Sequence, residues 1–331
     1  MKQNRIIKSI STPGTLSIAI GFGMLALLFA TSFSRQATPD ISNFLVYARL
    51  SEWLSHTEWE GFTAILLVNI LTVALLVWLL FRINEKYSFI RVRTVMPCFI
   101  FVFLLITSRT SLVFFSGLWA SFFLLLALWR LMSAYQEKNP ARNIFDVFFL
   151  LAAGSFFSFE LFLLIPVFWF SFPFFRITSF RTFMASVIGL ATSYILLTAI
   201  LLLLGVLPDF WDSVIRQFDI FFSFSGISPR LIVYMVFLFL LFLLSLVGFF
   251  LQTNKDKIRV KQTYFFFFLL TFFLFFISVV RIQIFFQIFP LLAFMLSITA
   301  GHYFTLNESR FSFFWFILFM LGGVTFFVLN R

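Results

Sequence analysis

Long apolar stretches, separated by short groups of charged and turn residues, follow one another along almost the whole chain. A helix needs about 20 apolar residues to cross about 30 Å of bilayer hydrocarbon, since it rises about 1.5 Å per residue. The pattern therefore predicts an all-α fold, a polytopic transmembrane helical bundle of about eleven spans, in one integral membrane domain over residues 1–331. The spans are predicted near residues 14–34, 61–82, 89–107, 111–131, 144–159, 161–175, 183–207, 231–252, 264–280, 283–304 and 311–329.

Two of these stretches, 144–159 and 161–175, are shorter than the others. A helix of about 15 residues reaches about 22 Å, which is less than a full crossing. The pair forms either two thin spans or a re-entrant hairpin. Arg142 and Arg176 flank it, so in both cases the chain returns to the side from which it came.

Composition and charge agree with a membrane location. The chain is 62% hydrophobic and 11% charged, with a mean hydropathy of +1.05, whereas soluble domains carry about 25% charged residues. When the N-terminus is placed in the cytoplasm, most of the 24 lysines and arginines fall on the cytoplasmic side. This predicts a multi-pass membrane protein with a cytoplasmic N-terminus. The net charge of +11 then reflects membrane topology and requires no nucleic-acid partner.

Phenylalanine is the most distinctive residue type, with 58 copies. Two interpretations stay open: an aromatic-lined groove for a lipid or polyprenyl chain, or replacement of leucine at lipid-facing positions. No cofactor or metal is predicted, because His56 and His302 lie far apart and Cys98 is the single cysteine.

Two loops predicted on the outer face, 35–60 and 208–230, each carry the pattern of an amphipathic helix lying in the membrane interface. Their apolar positions recur at the spacing of one helical face. These positions are Ile41, Phe44, Leu45 and Ala48 in the first loop, and Trp211, Val214, Ile215, Phe218 and Phe222 in the second.

Arg109, Glu160 and Arg281 each interrupt an apolar region at or near membrane depth. An ionisable group there is expensive unless it is paired. Two interpretations are open: arginines that hold a phosphate beside an acid in a cavity, or a buried ion pair that joins helices. Arginine forks bind phosphate through two hydrogen bonds, so Arg109 and Arg281 are candidate phosphate ligands. Arg216, in the second outer loop, is a further candidate.

Two stretches carry a resemblance to a known family: NIFDVFFLLAAGSFFSFELFLLIPVFWFSFPFFRITSFRTFMASVIGLATSYILL, from Asn143 to Leu197, and the later FPLLAFMLSITAGHYF. In hydropathy, in glycine and proline placement and in span order they resemble a Bacteroidota-type family of multispanning bacterial inner-membrane proteins of unknown function. The resemblance implies that the protein lies in the bacterial inner membrane.

The layout is more distantly similar to the GT-C class of polyprenyl-phosphate-dependent glycosyltransferases. That class begins with one span, followed by an outer loop with an acidic residue and an amphipathic helix, and then a bundle of further spans. In the loop TPDISNFLVYARL, Asp40 stands where that class keeps its acid. The resemblance implies that Asp40 is a general base or contacts the donor.

The favoured hypothesis is thus a glycosyltransferase-like membrane enzyme that uses a lipid-phosphate-linked sugar at the outer face. Asp40 is its candidate base and Glu160 a second acid, while Arg109, Arg216 and Arg281 hold phosphate. The expected partners are membrane lipid and a lipid-linked sugar donor. Two alternatives remain: a transporter or flippase for a lipid-linked or hydrophobic substrate, and a non-catalytic subunit of a membrane complex.

Overall fold

The computed structural model describes residues 58–87, 92–108, 115–203, 228–252, 258–307 and 309–329, together with isolated positions elsewhere. Within these residues the fold is helical and contains no strand, which confirms the predicted fold class. The helices are α1 Glu58–Tyr87, α2 Met96–Ser108, α3 Phe115–Ser133, α4 Ala141–Ser155, α5 Glu160–Phe175, α6 Phe180–Leu203, α7 Pro229–Gln252, α8 Ile258–Val280, α9 Phe285–Leu306 and α10 Arg310–Leu329. A short 3-10 turn, Ile282–Ile284, separates α8 from α9.

Seven of these helices are long and apolar enough to cross a membrane, namely α1, α3, α6, α7, α8, α9 and α10. This is the architecture of a multi-pass membrane protein. The finer prediction of about eleven spans is not confirmed. Helices α2, α4 and α5 lie at predicted spans but have only 13, 15 and 16 residues. Apart from two positions, the predicted span 14–34 lies outside the described residues.

Helix α9 is the centre of the bundle. It packs against α2, α3, α7, α8 and α10, and 89% of its most apolar stretch is buried inside the bundle. A helix that is apolar on all sides is expected in such a position. Helix α3 comes especially close at Gly117, where a Cβ atom would lie 2.1 Å from the Gln287 carbonyl oxygen. Only glycine permits this approach of one backbone to another.

The short helices α4 and α5 form a hairpin beside this centre. Helix α4 packs between α3 and α6, and α5 packs against α8. The contact with α8 is aromatic: the ring of Phe266 meets those of Phe168 and Phe175 edge to face, with centroids 5.3 and 5.7 Å apart. The hairpin is therefore fixed to the bundle by well-packed rings of a favourable geometry.

One end of the bundle, which we call the basic end, is where α1, α3, α5, α7 and α9 finish. Arg259 of α8 binds there between two rings, with its Cζ 5.3 Å from the centroid of Tyr87 and 5.1 Å from that of Tyr135. Its Nη2 donates a hydrogen bond of 3.1 Å to the carbonyl of Met132. The described basic residues at this end far outnumber its acids, Glu85, Glu137 and Asp146. They are Arg82, Lys86, Arg93, Arg130, Lys138, Arg142, Arg176, Arg181, Arg259, Lys261 and Arg310.

The opposite end, which we call the far end, is where α2, α4, α6, α8 and α10 finish. Two connections between consecutive helices meet there: the turn from α4 to α5 and the turn from α8 to α9. A hydrogen bond of 2.8 Å between the hydroxyls of Thr107 and Tyr234 joins the end of α2 to the start of α7. The far end thus gathers polar side chains from helices that are distant in the sequence.

Candidate functional site

Glu160 and Arg281 form a buried ion pair at the far end. Nη1 of Arg281 donates a hydrogen bond of 2.6 Å to Oε1 of Glu160. The side chain of Arg281 is 0% exposed and that of Glu160 is 4% exposed. The turn at the tip of the α4–α5 hairpin is therefore joined directly to the turn between α8 and α9.

Both residues stand at helix ends, where the backbone favours their charges. Glu160 is the first residue of α5. Arg281 follows the last residue of α8 and has φ −111° and ψ 47°, which ends the α-helix before the 3-10 turn. A helix carries a partial positive charge at its N-terminus and a partial negative charge at its C-terminus. The carboxylate and the guanidinium are each stabilised by the helix end on which they sit.

Neighbouring side chains complete the site. The hydroxyl of Ser158 donates a hydrogen bond to Oε2 of Glu160, so both carboxylate oxygens accept a bond. The ring of Phe159 lies over the guanidinium of Arg281, with 5.5 Å between its centroid and Cζ. Phe159 is half-buried and Gln283 is exposed. The ion pair therefore lies just beneath the surface of the described structure, with one aromatic ring over it.

The energetics of such a pair are asymmetric. Removing two charges from water costs several kcal/mol for each ion, and attraction between them offsets this only with good geometry and additional hydrogen bonds. The bond of 2.6 Å, the Ser158 hydroxyl and the two helix ends supply these. A buried pair nevertheless contributes little net stability relative to apolar residues of similar size. Within a membrane bundle, an ionisable group marks a functional site by default.

Of the five site residues predicted from the sequence, the structure describes Glu160 and Arg281 and brings them together. Asp40, Arg109 and Arg216 lie outside the described residues. The interfacial helices predicted in 35–60 and 208–230 also lie there for most of their length. The catalytic and phosphate-binding roles of all five residues therefore stay predictions.

Tyr234 is a far-end residue that the sequence analysis did not single out. It is 1% exposed, bonds to Thr107, and stacks on Phe326 with ring centroids 3.7 Å apart. Its ring also meets Phe285, the first residue of α9, at 6.4 Å. The available signal was a phenol within an apolar run, because a buried tyrosine hydroxyl usually finds a partner. Tyr234 fastens α2, α7, α9 and α10 beside the turn that carries Arg281.

His302 is buried near the basic end of α9 and packs on an aromatic ring. It is 1% exposed, and its ring centroid lies 4.1 Å from that of Tyr264. Among the described residues, no three histidine, cysteine, aspartate or glutamate side chains are placed to hold a metal ion. This part of the bundle is a packed aromatic region.

Comparison with known proteins supplies no family for the chain. No protein-family model, no curated protein and no solved structure matches it. The class of protein, a helical multi-pass membrane protein, rests on the fold itself.

Proposed function

We propose that the protein is a membrane enzyme that transfers a sugar from a lipid-phosphate-linked donor, with its reaction centre at the far end of the bundle. The observation that carries the proposal is the buried pair of Glu160 and Arg281. It combines an arginine that can bind phosphate with the second acid of the proposed site.

A contribution to stability does not by itself explain why a charged pair occupies these two positions. Apolar side chains of similar volume in place of a buried ion pair are often neutral or stabilising. The sequence otherwise fills the bundle with apolar residues, and only 11% of the chain is charged. A charged pair in this setting supports a role in binding or catalysis.

In the proposed reaction, the donor phosphate takes the place of Glu160 on the guanidinium of Arg281, and the ring of Phe159 turns away from the guanidinium. Arg109 and Arg216 add further bonds to the phosphate. The acceptor hydroxyl attacks the anomeric carbon while the bond from that carbon to the phosphate oxygen breaks. Asp40 takes the hydroxyl proton, and Glu160 is the second carboxylic acid residue of the site. Arg281 balances the charge that develops on the departing lipid phosphate.

The proposed location is the bacterial inner membrane, with the basic end and the N-terminus in the cytoplasm and the far end outside. The support is the concentration of lysine and arginine at the basic end, since cytoplasmic segments carry an excess of these residues. The reaction centre then faces the outer side, where the lipid-linked donor is expected.

The test uses cells in which the gene is deleted and then restored in variant forms, with lipid-linked glycans measured by mass spectrometry. The informative variant is the double substitution Glu160→Leu with Arg281→Met, which removes both charges and leaves neither partner unpaired. We expect it to fold and to reproduce the glycan profile of the deletion. Arg230→Gln, which removes an exposed far-end arginine at the start of α7, is the control and should restore the normal profile.

Two results count against the proposal. Unchanged lipid-linked glycans in the deletion remove the transferase function. Normal glycans in the double variant, together with altered glycans in the deletion, leave the pair as a structural contact and favour a flippase or a non-catalytic subunit. Detergent-solubilised samples of each variant should give the same size-exclusion profile, so that loss of fold is distinguished from loss of chemistry.

A further inference from the structure

An apolar groove runs between α7 and α8. It has a volume of about 270 Å³, and the described residues that line it are all phenylalanine and leucine. Its floor consists of Phe242, Phe249 and Phe268, which are 3%, 3% and 5% exposed. The rim residues Phe250 and Phe272 are 60% and 51% exposed. The groove is thus a channel with a closed floor that opens on the outside of the bundle.

The groove arises from the way in which its two walls are anchored. Both helices pack chiefly on the central helix α9 and have few contacts with each other. Helix α7 comes especially close to α9 at Gly248, where a Cβ atom would lie 2.0 Å from the ring of Tyr303 on α9. Because α7 and α8 each pack on α9 at the inner side of the bundle, the space between their outer sides stays open.

Lys261 stands at the basic-end mouth of this groove. It falls on the same face of α8 as Phe265, Phe268 and Phe272, at spacings of four, seven and eleven residues. It is half-buried, and within the part of the chain that the structure describes no acid forms an ion pair with it. A lysine near a helix end extends its ammonium to the headgroup layer while its stem covers apolar surface.

The length of the groove fits one leaflet. From Lys261 to Phe272, α8 rises about 16 Å, and half of a bilayer's hydrocarbon core is about 15 Å thick. A lipid whose headgroup lies beside Lys261 would therefore place one chain along the groove as far as the middle of the membrane. The apolar lining suits an acyl chain, and the ammonium suits the anionic headgroup of the same molecule.

We infer that the groove between α7 and α8 is a specific site for an anionic glycerophospholipid, with one acyl chain on the phenylalanine floor and the phosphate at Lys261. The phosphate oxygens accept hydrogen bonds from the ammonium, and the negative headgroup is favoured by the surrounding basic residues. The site lies on the α7 side of α8, whereas the Glu160–Arg281 pair lies on its α5 side. Lipid binding in the groove requires neither member of that pair.

The test is native mass spectrometry of the full chain in mild detergent, titrated with phosphatidylglycerol or with phosphatidylcholine of identical chains. We expect one tight adduct with phosphatidylglycerol. Lys261→Gln should weaken it about five-fold, the effect of one basic charge near an anionic headgroup. Arg310→Gln, which removes an exposed basic residue at the start of α10 at the same end, is the matched control and should leave the adduct unchanged.

A second pair of variants tests the groove itself. Leu243→Trp places a large ring in the groove and should abolish the tight adduct, a larger effect than that of Lys261→Gln. Leu318→Trp is its control, because Leu318 on α10 is 37% exposed and Leu243 is 38% exposed. Equal binding of phosphatidylcholine would remove the headgroup assignment. Wild-type binding by Lys261→Gln and Leu243→Trp, or equal losses in the controls, would show that lipid contacts are unspecific and would overturn the inference.

Discussion

The carboxylate of Glu160 accepts a hydrogen bond from the guanidinium of Arg281 across 121 positions of sequence. This contact joins a hairpin of two short helices to the turn between α8 and the central helix α9. Each residue lies at the helix end whose partial charge suits it. The same two side chains thus form a buried charge pair and connect two parts of the bundle.

The first prediction concerns the stability of this pair. Glu160→Leu alone and Arg281→Met alone should each lower the free energy of unfolding by about 3–5 kcal/mol, because each leaves an uncompensated buried charge. The double variant should recover most of that loss. Thermal unfolding in detergent across the four proteins of the cycle measures the coupling. Additive losses in the double variant would show that the two side chains do not stabilise one another.

The second prediction concerns the close approach of α3 to α9. Gly117→Ala places a methyl group where the Gln287 carbonyl oxygen lies 2.1 Å away. A backbone atom cannot move aside cheaply, so we expect a loss of about 1–3 kcal/mol from overpacking. Ser116→Ala, at the neighbouring half-buried position, is the control and should unfold close to the wild-type temperature. A Gly117→Ala protein as stable as this control would mean that α3 can draw back from α9 without loss.

The sequence predicted the helices well because burial in lipid imposes long apolar runs, but helix ends depend on individual side-chain contacts, some of them with distant parts of the chain. The run 264–280 predicted the body of α8, yet the helix begins at Ile258. Arg259 is accommodated there by the rings of Tyr87 and Tyr135, which belong to other parts of the chain. Similarly, α2 begins at Met96, whose amide donates to the Thr94 hydroxyl, and not at residue 89.

The candidate site was also predictable only in part. Glu160 and Arg281 were individually conspicuous, because a charge in an apolar region is costly. Their pairing depends on how the α4–α5 hairpin packs against α8, which is fixed by aromatic contacts such as that of Phe168 with Phe266. No local pattern encodes a contact of this kind. The bond between Thr107 and Tyr234 was missed for the same reason.

The third prediction concerns Arg259. Arg259→Gln removes its contacts with the Tyr87 and Tyr135 rings and the charged hydrogen bond to the Met132 carbonyl. We expect a loss of about 1–2 kcal/mol, since cation–π contacts contribute about 0.5–2 kcal/mol according to their exposure. Arg259→Lys should restore only part of it, because an ammonium lacks the flat face that stacks between rings. Detergent thermal unfolding, with Arg310→Gln as the exposed control, measures the difference; full recovery by lysine would contradict the stacking argument.

The fourth prediction concerns Cys98, the single cysteine of the chain. Its side chain is 7% exposed, and its thiol donates to the Val77 carbonyl at 3.5 Å. A maleimide should therefore fail to label the folded protein and should label it fully once α1 and α2 separate. The labelling rate during a temperature ramp then reports unfolding for the variants above. Rapid labelling at low temperature would show that α1 and α2 open in the native state.

The last prediction concerns orientation and uses a Cys98→Ala background. Lys138→Cys places a thiol in an exposed turn at the basic end, and Gln283→Cys places one in the exposed part of the α8–α9 turn at the far end. With the basic end in the cytoplasm, a membrane-impermeant maleimide added to spheroplasts should label Gln283→Cys and spare Lys138→Cys. Disrupting the membrane should make both react. The reverse pattern would place Glu160 and Arg281 on the cytoplasmic side, and the proposed sugar donor would then have to be one presented in the inner leaflet.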